Sequence, residues 1–314
     1  MSTEPFIAIG GENLIDYVTQ DGDAVAHPGG SPVNVAMALG RQGVPVHYIS
    51  PISTDRWGDM LADKLVASNV ILTGDRLPEP TTMARVTITK GIPSYSFERD
   101  GTAERMVTTD VLQARLTEDA VALHTGSLTL TDGADAAAWE EICARSYDSG
   151  RLVSLDPNVR LSVIADVESY RDRIWRMLQK VHLVKLSDED LAALYPDLGQ
   201  DEALAALKAR SSARLIVLTK GASGCTAICG DTRLDLPAAR VEKLVDTVGA
   251  GDTFTATILA GLAGQDALRP DALDRLTDDR LEALMQRASI AAALNCSRAG
   301  CNPPSRAELD LALT

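Results

Sequence analysis

Aromatic residues are scarce in this chain of 314 residues, at 4% of the sequence, whereas apolar residues together make up 45%. A hydrophobic core must therefore be built mainly from Leu, Val, Ile and Ala, which suits helices packed on a parallel sheet. No run of about 18 apolar residues occurs, and the N-terminal sequence MSTEPFIAIGG has no basic region before an apolar stretch. We therefore expect neither a membrane span nor a secretory signal, and we predict a cytoplasmic location.

Positive charge is in deficit, since 30 Lys and Arg residues face 44 Asp and Glu residues and the formal net charge is −14. Nucleic acids and anionic membranes bind positive surfaces, so neither is expected as a partner. An anionic ligand would have to be held by local donors, such as the backbone N–H groups at the start of a helix.

Paired cysteines are also missing. The five cysteines are scattered and odd in number, and the two that lie four residues apart have no His or second Cys pair nearby. We therefore expect reduced thiols and no zinc site. The cysteines are Cys143, Cys225, Cys229, Cys296 and Cys301.

Apolar strands alternate with helical patterns along most of the chain. This alternation is typical of an α/β fold with a mostly parallel sheet between helices. The chain has no linker rich in Ser, Pro or Gly, so a single domain over residues 1–314 is predicted. In its regular part, strands are predicted at 122–125, 152–156, 183–186 and 215–219, with helices at 134–149, 164–178, 187–195 and 201–209.

Two hairpins interrupt this alternation. Asp21-Gly22-Asp23 predicts the turn of the first, and a Gly-Ile-Pro turn at 91–93 lies between β-branched and aromatic residues in the second. We expect the hairpins to pair with each other as a small β-sheet lid formed by about 12–28 and 83–105. A lid with one face left free would favour a homodimer through that face.

The strongest motif is the run Asp246-Thr247-Val248-Gly249-Ala250-Gly251-Asp252, which precedes an apolar helical pattern. Glycines let the backbone approach an anion closely, and the first turn of a helix presents free N–H groups and a positive dipole end. Asp252 is then expected to be ionised beside the anion, where it can accept a proton from an attacking hydroxyl. The alternative is that Asp252 only caps the helix. Neither a P-loop nor a Gly-x-Gly-x-x-Gly motif after the first strand occurs, so phosphate binding falls to this run.

The string Asp-Thr-Val-Gly-Ala-Gly-Asp-Thr-Phe at 246–254 resembles the C-terminal signature of the ribokinase-like (PfkB-type) carbohydrate kinases. The resemblance implies a ribokinase-like three-layer α/β/α fold with a small β-sheet lid, and ATP, Mg²⁺ and K⁺ as cofactors. In that family the residue matching Asp252 is the general base. The matching backbone of Gly249, Ala250 and Gly251 forms the anion hole for the transferred phosphoryl group, and Asp246 matches a residue that helps to hold the monovalent cation.

Two segments resemble the family's sugar site. Gly29-Gly30-Ser31-Pro32-Val33-Asn34 resembles its N-terminal signature, and this assigns Gly29, Gly30 and Asn34 to the sugar. Asp16 resembles the sugar-binding Asp of the first lid hairpin, and a carboxylate can accept hydrogen bonds from two adjacent hydroxyls. The alternatives are an ordinary helix start for the glycines and a solvated hairpin position for Asp16.

Polar residues follow three predicted strands, at Asp156, Lys185 and Thr219, and therefore gather at the carboxyl edge of the sheet, where open α/β sheets bind ligands. Asp156-Pro157-Asn158-Val159-Arg160 resembles a family stretch near the transferred phosphate. The resemblance accordingly assigns Arg160 to substrate binding, where its permanently charged side chain could donate to the transferred phosphate. The alternative is a surface Arg160 that pairs with Asp156.

The run Lys185-Leu186-Ser187-Asp188-Glu189-Asp190 matches the family's Asn-x-x-Glu motif but departs from it at Ser187 and Asp190. The resemblance assigns Lys185 and Ser187 to the nucleotide and Asp190 to Mg²⁺. Asp is shorter than Glu, so the contact between Asp190 and the metal is expected to run through water. The alternative is that Ser187 only caps the following helix and the acidic residues only suit its positive end.

Two further segments are assigned to ATP by the resemblance. Thr219-Lys220-Gly221-Ala222-Ser223-Gly224 resembles the nucleotide loop and assigns Thr219, Gly221 and Gly224 to it, although its spacing alone indicates a generic glycine turn. Arg298-Ala299-Gly300-Cys301 resembles the loop that closes the adenine and cation sites, with Asn295 as a neighbour of adenine.

Three stretches, at 11–16, 95–105 and 156–160, resemble bacterial fructokinases more than ribokinases or nucleoside kinases. We therefore predict phosphorylation of the primary hydroxyl of D-fructose to fructose 6-phosphate. Other acceptors of the same enzyme class are 2-keto-3-deoxygluconate, ribose and a nucleoside. A non-catalytic sugar-binding regulatory protein on the same scaffold is a second alternative, and a dinucleotide-dependent oxidoreductase is a third that lacks its glycine fingerprint.

Overall fold

The computed structural model describes residues 4–20, 23–89 and 92–313. Its strands are β1 (Phe6–Ile9), β2 (Leu14–Gln20), β3 (Asp23–Gly29), β4 (Val46–Tyr48), β5 (Ile52–Ser53), β6 (Ile71–Leu72), β7 (Arg76–Leu77), β8 (Thr82–Thr89), β9 (Ile92–Glu98), β10 (Ala120–Gly126), β11 (Leu152–Asp156), β12 (Leu183–Ser187), β13 (Leu215–Thr219), β14 (Cys225–Cys229) and β15 (Thr232–Leu236). Its helices are α1 (Ser31–Arg41), α2 (Arg56–Val66), α3 (Thr109–Arg115), α4 (Gly133–Asp148), α5 (Val167–Leu178), α6 (Asp188–Leu194), α7 (Gln200–Arg210), α8 (Ala250–Gly264), α9 (Pro270–Leu273), α10 (Asp278–Cys296) and α11 (Arg306–Ala312).

The main sheet has nine strands in the order β15-β14-β13-β12-β11-β10-β1-β4-β6. Every neighbouring pair from β6 to β13 is parallel, and β14 and β15 extend the sheet as an antiparallel hairpin. The strands in the middle are buried apolar runs, as a sheet covered on both faces requires. The predicted α/β fold with a mostly parallel sheet is confirmed.

Helices cover both faces of this sheet and give it three layers. Residues of β1 alternate between the two cores: Ile7 and Ile9 pack with α1, α8 and α10, whereas Ala8 packs with α4, α5 and α7. This alternation follows from the two-residue period of a strand. On the first face α1 and α8 lie against each other, and the side-chain amide of Gln42 donates a hydrogen bond of 3.0 Å to Thr257 Oγ1.

A smaller sheet of four strands, in the order β3-β2-β8-β9, forms separately from the main one. The two predicted hairpins pair with each other through the parallel strands β2 and β8, in which Asp16 lies opposite Ala84. The expected small second sheet is therefore confirmed. Residues 21, 22, 90 and 91 of the two predicted turns lie outside the described residues.

Buried ion pairs fasten the end of β9 to the main layer. Arg99 Nε lies 2.8 Å from Glu104 Oε1, and Arg105 Nη2 lies 2.9 Å from Asp135 Oδ1 in α4. Burial raises the pKa of Glu104 even though the charge of Arg99 opposes the shift. These contacts join the segment that follows β9 to α4 of the main layer.

The five cysteines all lie buried as free thiols. No helix within the described ranges is both long and apolar enough to cross a bilayer.

Candidate active site

The first turn of α8 forms a backbone cradle for an anion. Gly249 has φ 75°, in the left-handed region, and a Cβ there would lie 2.3 Å from Cys301 Sγ, so only glycine fits. The first backbone bond of the helix runs from Thr253 N to Gly249 O, at 2.8 Å. Within the described part of the chain, the amides of Gly251 and Asp252 have no acceptor. Two backbone donors at a helix start are thus available to a ligand.

The carboxylate of Asp252 is held from α1 and does not cap its own helix. Ser31 Oγ donates to Asp252 Oδ1 at 2.6 Å, and Asn34 Nδ2 donates to Oδ2 at 2.8 Å. Gly249 occupies the N-cap position of α8 and no side chain caps it, so the capping alternative is not what the structure shows. The predicted base and the predicted sugar-binding Asn34 are in direct contact.

The electrostatics of Asp252 differ from the sequence-based expectation of a readily ionised group. Burial raises the pKa of this carboxyl group, because only 8% of the residue is exposed. The hydrogen bonds from Ser31 and Asn34 lower the pKa, the charge of Asp156 raises it and that of Lys185 lowers it. Desolvation outweighs the lowering effects of Ser31, Asn34 and Lys185, so Asp252 is a stronger base than an exposed aspartate.

Asp16 and the paired glycines form the wall beside α1. A Cβ on Gly29 would lie 2.5 Å from Asp16 Oδ2, and a Cβ on Gly30 would lie 2.6 Å from the carbonyl oxygen of Glu12. Gly30 also has φ 108°, which disfavours any side chain there. Burial raises the pKa of Asp16, whereas His27 and Lys64 lower it.

A buried ion pair lies beneath the first turn of α8. Lys185 Nζ is 2.9 Å from Asp156 Oδ2, and a Cβ on Gly251 would lie 2.8 Å from the same nitrogen. Burial disfavours the charge of Lys185, but the carboxylates of Asp156, Asp190 and Asp252 outweigh it and raise its pKa. A fixed positive charge therefore lies directly against the anion cradle.

Arg160 does not pair with Asp156, so that alternative is excluded. Its side chain is exposed, and Nη1 donates to the carbonyl of Val159 at 3.0 Å. Asn158, two residues before Arg160, has φ 40° and donates to Ser127 Oγ at 3.4 Å, and Ser127 itself has φ 62°. Two non-glycine residues in the left-handed region thus follow β10 and β11 at the carboxyl edge, where strain of this kind often accompanies a ligand site.

Ser187 and Asp190 form a capping box at the start of α6. Ser187 Oγ accepts from Asp190 N, and Asp190 Oδ2 accepts from Ser187 N at 2.8 Å. Asp190 Oδ1 accepts from Val159 N at 2.6 Å, and burial raises the pKa of its carboxyl group. Both oxygens already hold backbone N–H groups, and the described residues contain no group of three or more His, Cys, Asp or Glu suited to a metal. These residues fit Mg²⁺ only through water and ligand oxygens.

The predicted nucleotide loop follows β13. Gly221 has φ 52° and open space around its Cβ position, so its backbone is accessible. Gly224, in contrast, has a packing reason to be glycine, since a Cβ would lie 1.9 Å from Leu236 O. Thr219 Oγ1 donates to Leu186 O at 3.3 Å, which ties this loop to the end of β12.

Asn295 and Asp246 join the loops around the glycine run. Asn295 is fully buried; its Nδ2 donates to Val248 O at 2.8 Å and its Oδ1 accepts from Asn302 N at 2.9 Å. Asp246 Oδ1 accepts from Val248 N and Oδ2 from Gly300 N, at 3.0 and 2.9 Å. The amide of Asn295 therefore holds two loops together in this structure, and its full burial separates it from a ligand.

Sequence reasoning missed two residues next to the base. Ser31, in the first turn of α1, contacts Asp252 directly. Glu12 is 1% exposed, its Oε1 accepts from Ser31 N at 3.1 Å and its Oε2 from Thr129 Oγ1 at 3.2 Å. Burial raises the pKa of Glu12 to about 7. A charged residue right after the buried strand β1 was the available signal for Glu12.

Comparisons with known proteins identify the family of this chain. The model of the pfkB family carbohydrate kinases matches residues 11–308. A fructokinase of Rhizobium leguminosarum bv. trifolii is 42% identical over 258 residues, which cover 80% of this chain and 78% of that protein. Fructokinase-2 of Zea mays is 30% identical over 269 residues, covering 82% of this chain and 80% of that one.

A solved structure of a fructokinase with bound ATP from Xylella fastidiosa has a TM-score of 0.90 at 27% identity, and the match covers 98% of each chain. The ribokinase-like fold that the sequence resemblance implied is thereby confirmed. Because the family match spans almost the whole chain and includes the glycine run with its carboxylate, this chain belongs to the pfkB family of carbohydrate kinases.

Proposed function

We propose that this protein is an ATP-dependent kinase that transfers a phosphoryl group to the primary hydroxyl of D-fructose and forms fructose 6-phosphate. The observation that carries the proposal is the Asp252 carboxylate, held by Asn34 at 2.8 Å beside two free amides at a helix start. The relatives of bacterial and plant origin that are named fructokinases support the choice of sugar.

The sugar is proposed to lie between the smaller sheet and the first turn of α1. Asp16 supplies a carboxylate that can accept from two adjacent hydroxyls. Asn34 Oδ1 is buried without a partner in the described part of the chain, so a sugar hydroxyl would satisfy it. Gly29 and Gly30 let Asp16 and the backbone of Glu12 keep their positions, because side chains at the two glycines would meet them.

Asp252 is proposed to take the proton from the primary hydroxyl as that oxygen attacks. Its raised pKa suits this role, since a base works best when its pKa approaches the working pH. The backbone of the run Gly249, Ala250 and Gly251 receives the charge that develops on the transferred group through the free amides of Gly251 and Asp252, whereas the amide of Ala250 is bonded to Thr247 O. Lys185 adds a fixed positive charge from below that turn.

When bound, ATP supplies the phosphoryl group, and Mg²⁺ neutralises part of the phosphate charge. Asp190 would reach Mg²⁺ through water, and Arg160 would contact the transferred phosphate. Asp246 would hold K⁺. Other residues are proposed to contact the nucleotide itself: Lys185, Ser187, Thr219, Gly221 and Gly224.

The adenine ring is proposed to lie against the segment that precedes the glycine run. Leu244, Val245 and Val248 are 65%, 47% and 51% exposed there. A cluster of exposed apolar side chains next to a phosphate cradle suits a flat aromatic base. Asn295 acts in this proposal through the loop it fixes and does not contact the base.

The proposal also includes a cytoplasmic location and a homodimer. A cytoplasmic location is supported by five buried free cysteines, which suit a reducing compartment. A homodimer through the smaller sheet is supported by its separate four-stranded form, which leaves edge strands open to pairing.

The decisive experiment measures ADP release with Mg-ATP and one acceptor at a time: D-fructose, 2-keto-3-deoxygluconate, ribose and a nucleoside, each with and without K⁺. We expect the highest kcat/KM with fructose and a product phosphorylated on the primary hydroxyl. Little ADP should form without sugar, because closure of the smaller sheet excludes water. Sugar binding without ADP release would favour the regulatory alternative, and a better acceptor than fructose would replace the proposed substrate.

A further inference from the structure

Ser31 connects the proposed base to a buried carboxyl group on another segment. Its hydroxyl donates to Asp252 Oδ1 at 2.6 Å, and its backbone N–H donates to Glu12 Oε1 at 3.1 Å. Thr129 Oγ1 holds the other oxygen of Glu12 at 3.2 Å. Ser31 is only 8% exposed, so water cannot easily replace its hydroxyl. Asp252 is thus fixed to two other parts of the chain through one serine.

The two side chains that donate to Asp252, those of Ser31 and Asn34, differ in whether they also contact the sugar in the proposed complex. Asn34 Nδ2 covers Oδ2, and the other atom of that amide, Oδ1, is buried with no partner in the described ranges. Asn34 can therefore accept a sugar hydroxyl through Oδ1 while Nδ2 stays on Oδ2, and the second lone pair of Oδ2 remains open to the attacking hydroxyl. Ser31 makes no such second contact with its hydroxyl, so it can keep Oδ1 in place while Oδ2 receives the proton.

We infer that Ser31 is a positioning residue for this reaction, which holds the Asp252 carboxylate through Oδ1 and leaves Oδ2 to the sugar hydroxyl. Glu12 fixes Ser31 in turn by accepting its backbone N–H. The inference rests on the proposed kinase function, in which Asp252 is the base. It goes beyond that function by giving a role to a residue that contacts neither sugar nor nucleotide in the proposal.

The sign of the effect follows from the groups around Asp252. Three titratable groups on other elements face this carboxyl group. They are Lys185 on β12, Asp156 at the end of β11 and the Cys301 thiol after α10. A donor to an ionised carboxylate lowers its pKa, and the Ser31 hydroxyl acts in this direction. Without it, Asp252 should take up a proton at a higher pH, and the acid side of the kcat/KM profile should move upward.

The test is the pH dependence of kcat/KM for fructose in Ser31→Ala and Ser31→Cys. Cys keeps the size of the side chain but is a weak donor, so it reports on the same contact if the Ala variant fails to fold. We expect the half-maximal point on the acid side to rise by roughly one pH unit in either variant, the usual worth of a hydrogen bond to a charged group. Ser50→Ala is the matched control, because this buried serine accepts from Gly11 N at 2.7 Å and does not contact the base. The acid-side half-maximal pH of kcat/KM in Ser50→Ala should equal that of the wild type.

A second measurement tests whether Ser31 acts through Asp252. In Asp252→Asn the removal of the Ser31 hydroxyl should change kcat less than twofold, because the two residues then share no catalytic contact. The inference is overturned, while the kinase function stands, if the acid-side half-maximal pH of kcat/KM is unchanged in both Ser31 variants. It is also overturned if the effects of the Ser31 and Asp252 substitutions on kcat are fully additive. A wild-type protein without sugar-dependent ADP release overturns the function and this inference together.

Discussion

Asp252→Asn is the substitution that most directly separates chemistry from structure in this protein. Asn has the shape of Asp but no basic oxygen, so the proton of the attacking hydroxyl loses its acceptor. The loss of a general base lowers turnover by roughly 10²–10⁴-fold. Sugar affinity should change little, because the introduced amide can accept from Asn34 Nδ2 through its oxygen and donate to Ser31 Oγ, which leaves Asn34 Oδ1 to the sugar.

The same substitution should not destabilise the fold. Burial raises the pKa of Asp252, so the folded chain holds its proton more tightly than the unfolded chain does. The stability gained from the protonated form is present at low pH and is lost as pH rises through the folded-state pKa. At neutral pH the ionised carboxylate therefore lowers stability by about 1.4 kcal/mol for each unit of elevation. A neutral Asn removes this cost, so the melting temperature should stay equal or rise, by about 2 °C per kcal/mol.

Three measurements on the same preparation check this reasoning: sugar-dependent ADP release, fructose binding by calorimetry, and melting temperature across pH. The difference in melting temperature should shrink in acid, where the wild-type carboxyl group is protonated as well. Asp279→Asn is the control, because this exposed residue lies in the first turn of α10 and should change none of the three. Wild-type turnover in Asp252→Asn would refute the role of base, and a marked fall in melting temperature at neutral pH would refute the account of its burial.

Two further substitutions test the walls of the site. Gly29→Ala should raise the KM for sugar by about tenfold and leave the KM for ATP unchanged, because the new Cβ would lie 2.5 Å from Asp16 Oδ2 and must displace that carboxylate. Gly264→Ala, with open space at its Cβ, is the control, and equal KM values for sugar in the two variants would contradict the prediction. Lys185→Met leaves Asp156 buried and unpaired and should lower the free energy of unfolding by about 3–5 kcal/mol, measured in urea, while an unchanged unfolding midpoint would show that the ion pair contributes little.

The central fold could be predicted from sequence because its strands are short, buried and apolar. β11 and β13 have the predicted bounds, and the helix predicted from 164 begins later, at Val167, because Asp166 caps it by accepting from Ser169 N. The hairpin of β14 and β15 was not predicted. Two of the five residues of β15 are exposed and the other three are half-buried, so the strand lacks a clear apolar pattern. Cys225 and Cys229 of β14 were interpreted only as free thiols, whereas in the structure they also pack into the core beside α8.

Site residues within a local sequence motif could be predicted, whereas contacts between segments that are distant in the chain could not. The glycine run is a local motif whose consequence, free amides at a helix start, follows from backbone geometry alone. The raised pKa of Asp252 depends on how deeply α1 covers it, which no local pattern reveals. Asn295 shows the opposite limit: it was predicted to be a neighbour of adenine from its place near a ligand loop, and only the structure shows that its buried amide bonds to Val248 and Asn302.

The contacts between α1 and Asp252 also set when the enzyme can first work. Ser31 and Asn34 are separated from Asp252 by 221 and 218 positions in the chain. A ribosome that adds about 5–20 residues per second needs roughly 10–40 s to cover that span. If Asp252 is the base, as proposed, the nascent polypeptide lacks its proton acceptor throughout this interval and should not consume nucleotide. Any message cut short before the codon for Asp252 should yield a product that is silent in metabolism.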